Sequence, residues 1–499
     1  MKLPFFTWLF LIPIVSGQCL DDQKSLLLQL HNSLQFGKTS STKLVHWNQC
    51  VDCCLWKGVY CSQGRVIGLD LSSESIFAIP IAILCLTSLV ILDLSTFYFP
   101  VLKLENPTLH MLVRNLGELM ELHLDGVNMS AQGNEWCQII SSSLPNLRVS
   151  TLEILDLSNN PLLHGSLPNF PRNRSLKTLV LSKTKFSGTF SDSIVNLTVL
   201  SRIDLPSCNF HASIPYLMAN LTQLLYLDMS MNYFTRSIPS FSMAKNLTEI
   251  NLSHNHLTNQ ITSTRWEVLL SLVNLDLCNN SLDESIPLSL FSLSSLQKLQ
   301  LSKNQFLEVL YLGKNNITDT IPYIFPSNCG LQTLSLNGNQ LEGGLPKSLA
   351  NCTSFTGTTE IVIDVSYNNL EGTIPEEIRG INSLGAKSHH LGKLSRLISL
   401  DLSSNKLTGK MPKNLKNLTL LSTLNLLFNH LVGHIPGMRF PKPSYKGNEG
   451  LCGVPLHEEC NDAGSRLPTH SNVVIGRVDW NIITAKFGFI CGLGIIILP

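Results

Sequence analysis

From Leu152 to Pro436 the apolar positions return as one phrase, LxxLxLSxNxLxGxIP, as in Leu224–Thr248 and Leu272–Pro287. Its Asn position falls at Asn160, Thr184, Cys208, Asn232, Asn255, Asn280 and Asn304 in steps of 23 to 25 residues, then at Asn315, Asn339, Asn368, Asn405 and Asn429. Weaker copies end at Glu74, Phe97 and Val127, which makes fifteen landmarks. Alternation in LxL turns two leucines inward and one residue outward, so each phrase predicts a short strand. The Asn stands where the chain leaves the strand, with an amide able to satisfy buried backbone groups. Gly relaxes the following bend, and Ile-Pro or Leu-Pro fixes the next extended piece.

A period in the low twenties carrying this phrase is the leucine-rich-repeat signature. The expected fold is an α/β solenoid, a right-handed leucine-rich-repeat superhelix with disulfide caps and a C-terminal membrane segment. The repeats span 66–436. Two seams break the rhythm: Asn304 to Asn315 is 11 residues, less than half a coil, and Asn368 to Asn405 is 37. Both read as deletions. A partial coil leaves leucine faces unmatched, so the first seam is expected to be the weakest point. Between Val101 and Val149 only Leu122-His123-Leu124 reads clearly as a strand.

A stack of apolar coils needs closed ends, and the cysteines gather there. Residues 18–65 hold Cys19, Cys50, Cys53, Cys54 and Cys61 around an amphipathic helix with Leu26, Leu27, Leu30 and Leu34 on one side. Residues 437–462 hold Cys452 and Cys460. Residues 1–17 read as a secretory leader, with Lys2, an apolar core from Phe5 to Val15, and small residues at Val15-Ser16-Gly17. In that compartment clustered cysteines favour disulfides over zinc. Secretion also suits ten Asn-x-Ser/Thr acceptors, Asn128, Asn173, Asn196, Asn220, Asn246, Asn251, Asn279, Asn316, Asn351 and Asn417.

Composition narrows the picture further. Leucine supplies 90 of 499 residues while charged residues are 14%. Only 482–499, after a linker at 463–481, approaches membrane length, which excludes a multi-span protein. Lys486 lies one turn into it, and Gly488 and Gly492 have the spacing that lets two membrane helices approach. It runs 18 residues, just short of a bilayer core, and no basic residue follows it, so it is read as a truncated span. A net charge of +1 gives no footprint for nucleic acid. Gly37-Lys38-Thr39 lacks the first Gly of a phosphate loop, since Asn32 stands there. His457-Glu458-Glu459-Cys460, His254 with His256, and His389-His390 lack metal-ligand spacing. With no catalytic signature either, the expectation is a binding protein with no cofactor and no enzymatic activity.

Both ends resemble one family. Trp47-Asn48, Cys53-Cys54 and Trp56-Lys57-Gly58-Val59-Tyr60-Cys61 resemble the N-terminal cap of plant leucine-rich-repeat receptors. Gln18 to Leu30, Leu102 to Pro107, Leu124 to Val127, Glu135 to Gln138, and Tyr445 to Leu456 are similar to the Verticillium-wilt-resistance type of receptor-like protein. The resemblance implies the pairs Cys19–Cys53, Cys54–Cys61 and Cys452–Cys460, with Cys50 left over. It also implies a plasma-membrane, single-pass receptor without a kinase domain, which senses microbial or peptide ligands and signals through a partner leucine-rich-repeat receptor kinase. The chain departs from the family in having fewer repeats, two broken seams and a short membrane segment.

The outward residue between ladder leucines is Asp at 70, 93, 156, 204, 228, 276 and 401, which reads as structural. Departures from the phrase are the contact candidates: His123, Arg202, Tyr226, Glu249, Lys298, Gln300, Tyr311 and Lys314. Aromatic and Arg side chains favour protein recognition. Three rivals stand beside the receptor reading. One is a secreted inhibitor of microbial wall-degrading enzymes, similar to polygalacturonase-inhibiting proteins, which does not need the apolar run. Another is a non-signalling receptor remnant. The last is a lipid-anchored protein using Ala463-Gly464-Ser465, whose spacer is longer than usual.

Overall fold

The computed structural model describes residues 18–460 except 97–101, 130–150, 168, 171, 173–174, 262–263, 285, 292, 303–315, 324, 326–330, 353–360 and 379–396. The leader, the linker and the apolar run at 482–499 lie outside the described residues, as do Asn173, Tyr311, Lys314, Gly488 and Gly492.

The repeats stack into a 15-stranded sheet that follows chain order. Its first pair, Val59–Ser62 on Arg65–Asp70, is antiparallel and belongs to the cap. The other strands are parallel rungs, each paired in register with the next coil, as Ile203 is with Leu227 and Leu227 with Ile250. The leucines flanking each rung are wholly buried and form one continuous core from Cys19 to Leu456.

The Asn at the end of each rung forms a ladder. Asn255 Nδ2 donates to Met229 O, Leu252 O and Ser253 O at 3.0, 3.1 and 3.2 Å, and its Oδ1 accepts from Phe234 N at 3.0 Å. Asn232, Asn280, Asn368, Asn405, Asn429 and Asn448 repeat the pattern. Just before each Asn the chain turns through a positive φ, 54° at Met231 and 55° at His254. The amide freed there donates to the next coil, His254 N to Cys278 O at 2.8 Å, which offsets the backbone strain.

A second parallel sheet of seven strands runs from His164–Ser166 to Asn316–Ile317, with a four-stranded counterpart near the C-terminus. Its inward residues include Phe186, Phe210 and Phe234, stacked at 6.4 and 6.2 Å. Short 3-10 turns such as Asp192–Asn196, Tyr216–Asn220 and Lys413–Asn417 close several coils.

The seam expectation is corrected. Lys298–Gln300 pairs directly with Thr333–Ser335, while Asn304 and Asn315 lie outside the described residues. Asn339 reaches back to Leu301 O at 2.9 Å, which carries the ladder across. Likewise Ile361–Asp364 pairs with Leu397–Asp401, and Glu121–His123 with Ile154–Asp156. All three long steps leave the sheet unbroken. A solenoid fails where a rung lacks a neighbour, and extra residues in a loop do not remove one.

At the N-terminus helix Asp21–Ser33 buries Leu27 and Leu30. Glu74 occupies the first ladder position and ties this cap to the stack. Its carboxylate accepts from Ser41 Oγ and from the Thr42 and Lys43 amides, both at 2.9 Å. Burial opposes its charge, but these bonds outweigh it and hold the pKa below the usual value. Lys43 Nζ adds an ion pair to Asp70 at 2.6 Å. The bridges are Cys19–Cys53, Cys54–Cys61 and Cys452–Cys460, and Cys50 is exposed and unbridged. Cys352 is disulfide-bonded too, a bridge that the spacing of cysteines at the ends did not point to.

Candidate functional site: the face of the long sheet

Each rung offers two outward positions. At the third, Asp93 is 4% exposed, Asp228 9%, Gln300 0% and Ser335 1%, while Asp156, Asp204, Asp276 and Asp401 are half-buried. Here the aspartates cap the turn that follows. Asp70, Asp93, Asp156, Asp228, Asp276, Asp364 and Asp401 each accept, through Oδ1, the amide two residues on. Burial raises the Asp228 pKa to about 6, against the pull of its bonds to Ser230 and Asn251. Burial, then the charge of Asp401 beside it, raises that of Asp364.

Gln300 is therefore a correction among the contact candidates. Alternation turns it outward, but it lies in register between Asp276 and Ser335 and has no open surface. His123 occupies the same column, half-buried and in register between Asp93 and Asp156, with Nε2 3.5 Å from Glu121 Oε2. Burial works against its charge, but Glu121, Asp93 and Asp156 outweigh it and raise its pKa. His123 serves to offset stacked carboxylates.

The first position carries varied side chains where the third carries mostly aspartate. Register aligns Arg202, Tyr226, Glu249, Asn274 and Lys298 on consecutive rungs, all half-buried. At about 4.8 Å per rung the row is roughly 19 Å long. Arg202 lies 3.6 Å over the Tyr226 ring and pairs with Asp204, so it is held against the sheet. Burial, then Asp204 and Asp228, push the Tyr226 hydroxyl well above its usual pKa, so it stays a donor. Leu225, 45% exposed, adds apolar surface beside it. Arg202, Tyr226, Glu249 and Lys298 thus meet in one strip; Tyr311 and Lys314 lie outside the described residues.

The acceptors for sugars distribute unevenly. Asn196, Asn220, Asn351 and Asn417 each end a 3-10 turn. Asn246 is exposed, while Asn128 and Asn279 are half-buried. Asn251 stands on a rung and donates to Asp228 Oδ2 at 3.0 Å. The side chain of Asn316 is outside the described residues.

The second sheet was not anticipated. Its signal is present in the sequence, because KFSGT, NFHAS, YFTR and HLTNQ alternate apolar and polar residues at the same period. Among the described residues no helix is long and apolar enough to cross a membrane. The residues grouped as a possible metal set, Cys19, Asp52, Cys53 and Cys54, are three bridged cysteines and a carboxylate that caps the Cys54 amide.

A rung ladder with Asn spine, a cystine cap and a second sheet define a leucine-rich-repeat solenoid. Known proteins agree. Residues 20–62 match the leucine rich repeat N-terminal domain, and 151–173, 271–293, 306–328, 330–352, 361–381 and 396–418 match the leucine rich repeat. Receptor-like protein 6 of Arabidopsis thaliana is 30% identical over 280 residues, covering 38% of this chain and 28% of its own length. Receptor-like protein 18 of the same plant is 31% identical over 330 residues, covering 59% and 37%. The crystal structure of PEPR1–AtPEP1 superposes with a TM-score of 0.50 at 20% identity, covering 86% of this chain and 68% of that one, a likeness of fold alone. The chain is similar to plant leucine-rich-repeat receptor-like proteins. It spans about a third of the length of these two curated relatives.

Proposed function

We propose that this chain is the recognition part of a cell-surface immune receptor of the Verticillium-wilt-resistance type, which binds a microbial protein or peptide along the Arg202–Lys298 row. The observation that carries this reading is the row itself. It is a half-buried strip of Arg, Tyr, Glu and Lys beside a column that holds Asp204, Asp228 and Asp276, with an aromatic and an arginine locked together at one end. Such preorganised Tyr and Arg side chains are favoured at protein contacts. In this reading the ten acceptor asparagines carry sugars in proportion to their exposure. Residues 482–499 anchor the protein in the plasma membrane with the repeats outside, and Gly488 and Gly492 pack against the helix of a partner receptor kinase.

The test uses the full chain expressed in leaf cells with a candidate leucine-rich-repeat receptor kinase. Cells are challenged with culture filtrate of a wilt fungus, and the oxidative burst is recorded. Substituting Arg202→Ala with Tyr226→Ala should cut the response about tenfold or more at equal protein level, and Gly488→Leu with Gly492→Leu should abolish co-purification of the kinase. A response untouched by Arg202→Ala and Tyr226→Ala rejects the row. The second reading, a secreted inhibitor, is favoured instead if the protein is soluble after carbonate extraction and slows a purified polygalacturonase.

A further inference from the structure

The second sheet carries a chemistry that the receptor reading does not use. Its first five strands, His164–Ser166, Lys185–Thr189, Asn209–Ser213, Tyr233–Arg236 and His256–Gln260, contain no aspartate or glutamate. Four of the five long-sheet strands in the same coils do, at Asp156, Asp204, Asp228 and Glu249. Four of these five coils therefore carry an acid on the long-sheet strand and none on the second-sheet strand.

The phenylalanine spine fixes which side chains face out. With Phe186, Phe210 and Phe234 buried, alternation turns Lys185, His211 and Tyr233 to solvent. Register sets Thr189 beside His211 and His211 beside Tyr233. The Tyr233 ring lies 5.9 Å from that of His256, making a small aromatic platform. Lys185 and Arg236 stand exposed at its flanks. At the end of these strands opens a cavity of about 590 Å³ lined by Ser166, Asn169, Thr189, Ser191, Asp192 and Ser213. Hydroxyl and amide groups share that lining with the apolar Leu167, Phe190, Ala212 and Pro215, and its one carboxylate, Asp192, comes from the adjoining 3-10 turn.

A flat face with an open aromatic ring, rows of hydroxyls and flanking cations matches a sugar chain more closely than a polypeptide. Aromatic faces take the apolar side of a sugar ring, and the hydroxyls exchange hydrogen bonds with its rim. The cations add a requirement for negative charge. We infer that the second sheet binds an acidic oligosaccharide, a chain of uronic acid units whose carboxylates meet Lys185, His211 and Arg236 while one ring stacks on Tyr233 and the cavity seats a terminal unit. This face is separate from the Arg202–Lys298 row, so either site stands if the other fails.

The test measures binding of the full glycosylated chain to an oligomer of galacturonic acid by calorimetry. The fully methyl-esterified oligomer and a cellulose oligomer of equal length serve as comparisons. The acidic oligomer should bind, and raised salt should weaken it because the contacts are exposed. Each comparison oligomer should bind at least about tenfold more weakly, the scale of one lost charge-assisted contact. Lys185→Glu with Arg236→Glu, and separately Tyr233→Ala, should each weaken binding by about that factor or more. Arg202→Ala on the other sheet should leave binding unchanged. All the second-sheet substitutions are at exposed positions, and unaltered thermal unfolding of each variant shows that the fold is kept. No binding of the acidic oligomer, equal binding of the esterified or cellulose oligomer, or binding indifferent to the second-sheet substitutions would each overturn the inference.

Discussion

Replacing Asn255 with alanine should break the solenoid's spine at one coil. The Asn255 side chain is 2% exposed, so water does not take over its contacts. Its two amide hydrogens are shared among three carbonyls, and its oxygen accepts the Phe234 amide. Four hydrogen bonds disappear, leaving buried groups on two successive coils unpaired. At about 1 to 3 kcal/mol for each group left unsatisfied, and allowing for some relaxation, the cost is about 4 kcal/mol. Asn255→Asp should be no better, because it keeps the acceptor for Phe234 but sets a carboxylate against three carbonyls. Thr258→Ala, exposed on the same coil, should change stability by less than about 0.5 kcal/mol. Urea unfolding gives the global figure. Hydrogen exchange gives the local one, with the Phe234 amide exchanging on the order of a hundredfold faster or more. A loss below about 1 kcal/mol, with Phe234 still protected, would refute the view that this ladder holds neighbouring coils together.

Cys208 replaces the ladder Asn of its coil, offering only a thiol to Leu181 O at 3.1 Å, while Phe186 N reaches Thr184 Oγ1 at a long 3.4 Å. Cys208→Asn should therefore raise stability by about 1 kcal/mol in urea unfolding, and a loss would show that the pocket is shaped for sulfur. Hydrogen exchange should show unbroken protection from Leu299 through Leu334 to Ile363, since these rungs pair directly; early opening at Leu299 and Leu334 alone would restore the weak seam. Asp364 has a raised folded pKa, so its contribution to stability is fully present below the unfolded value and lost as pH rises through the folded one. The gain in melting temperature from Asp364→Asn should accordingly grow between pH 4 and pH 8, and a gain that is flat with pH would reject the cause.

The rungs, the ladder and the position of the caps are legible in the sequence because each coil repeats the same burial problem with the same residues. The seam was misread because Leu299-Gln300-Leu301 and Leu310-Tyr311-Leu312 both fit the strand phrase. Eleven residues do not complete a coil whose regular steps are 23 to 25, so the two phrases compete for one rung. Lys298–Gln300 takes it. Gln300 was misjudged for a different reason. Period-two alternation gives the direction of a side chain but not the height of its neighbours, and Asp276 and Ser335 cover it. The second sheet was overlooked because its alternation sits inside a phrase already explained by Gly and Pro.

The two outward columns of the long sheet explain how one scaffold can carry many specificities. The third column is bound to the fold: an Asp there caps the next turn, and an Asn on the next rung donates to it, as Asn251 does to Asp228 and Asn425 to Asp401 at 3.0 and 2.9 Å. Changing that column disturbs every coil's exit. The first column has little such duty, since its side chains lie over the sheet and their backbone groups are already paired through the ladder. One residue per coil is thus free to vary at little cost to stability, and neighbouring coils place those residues about 4.8 Å apart. On the proposed function a ligand would read a row drawn from sequence positions some 23 to 25 residues apart, Arg202, Tyr226, Glu249, Asn274 and Lys298. Recognition in this architecture is written across coils rather than along them, which is why no contiguous motif marks the row in the chain.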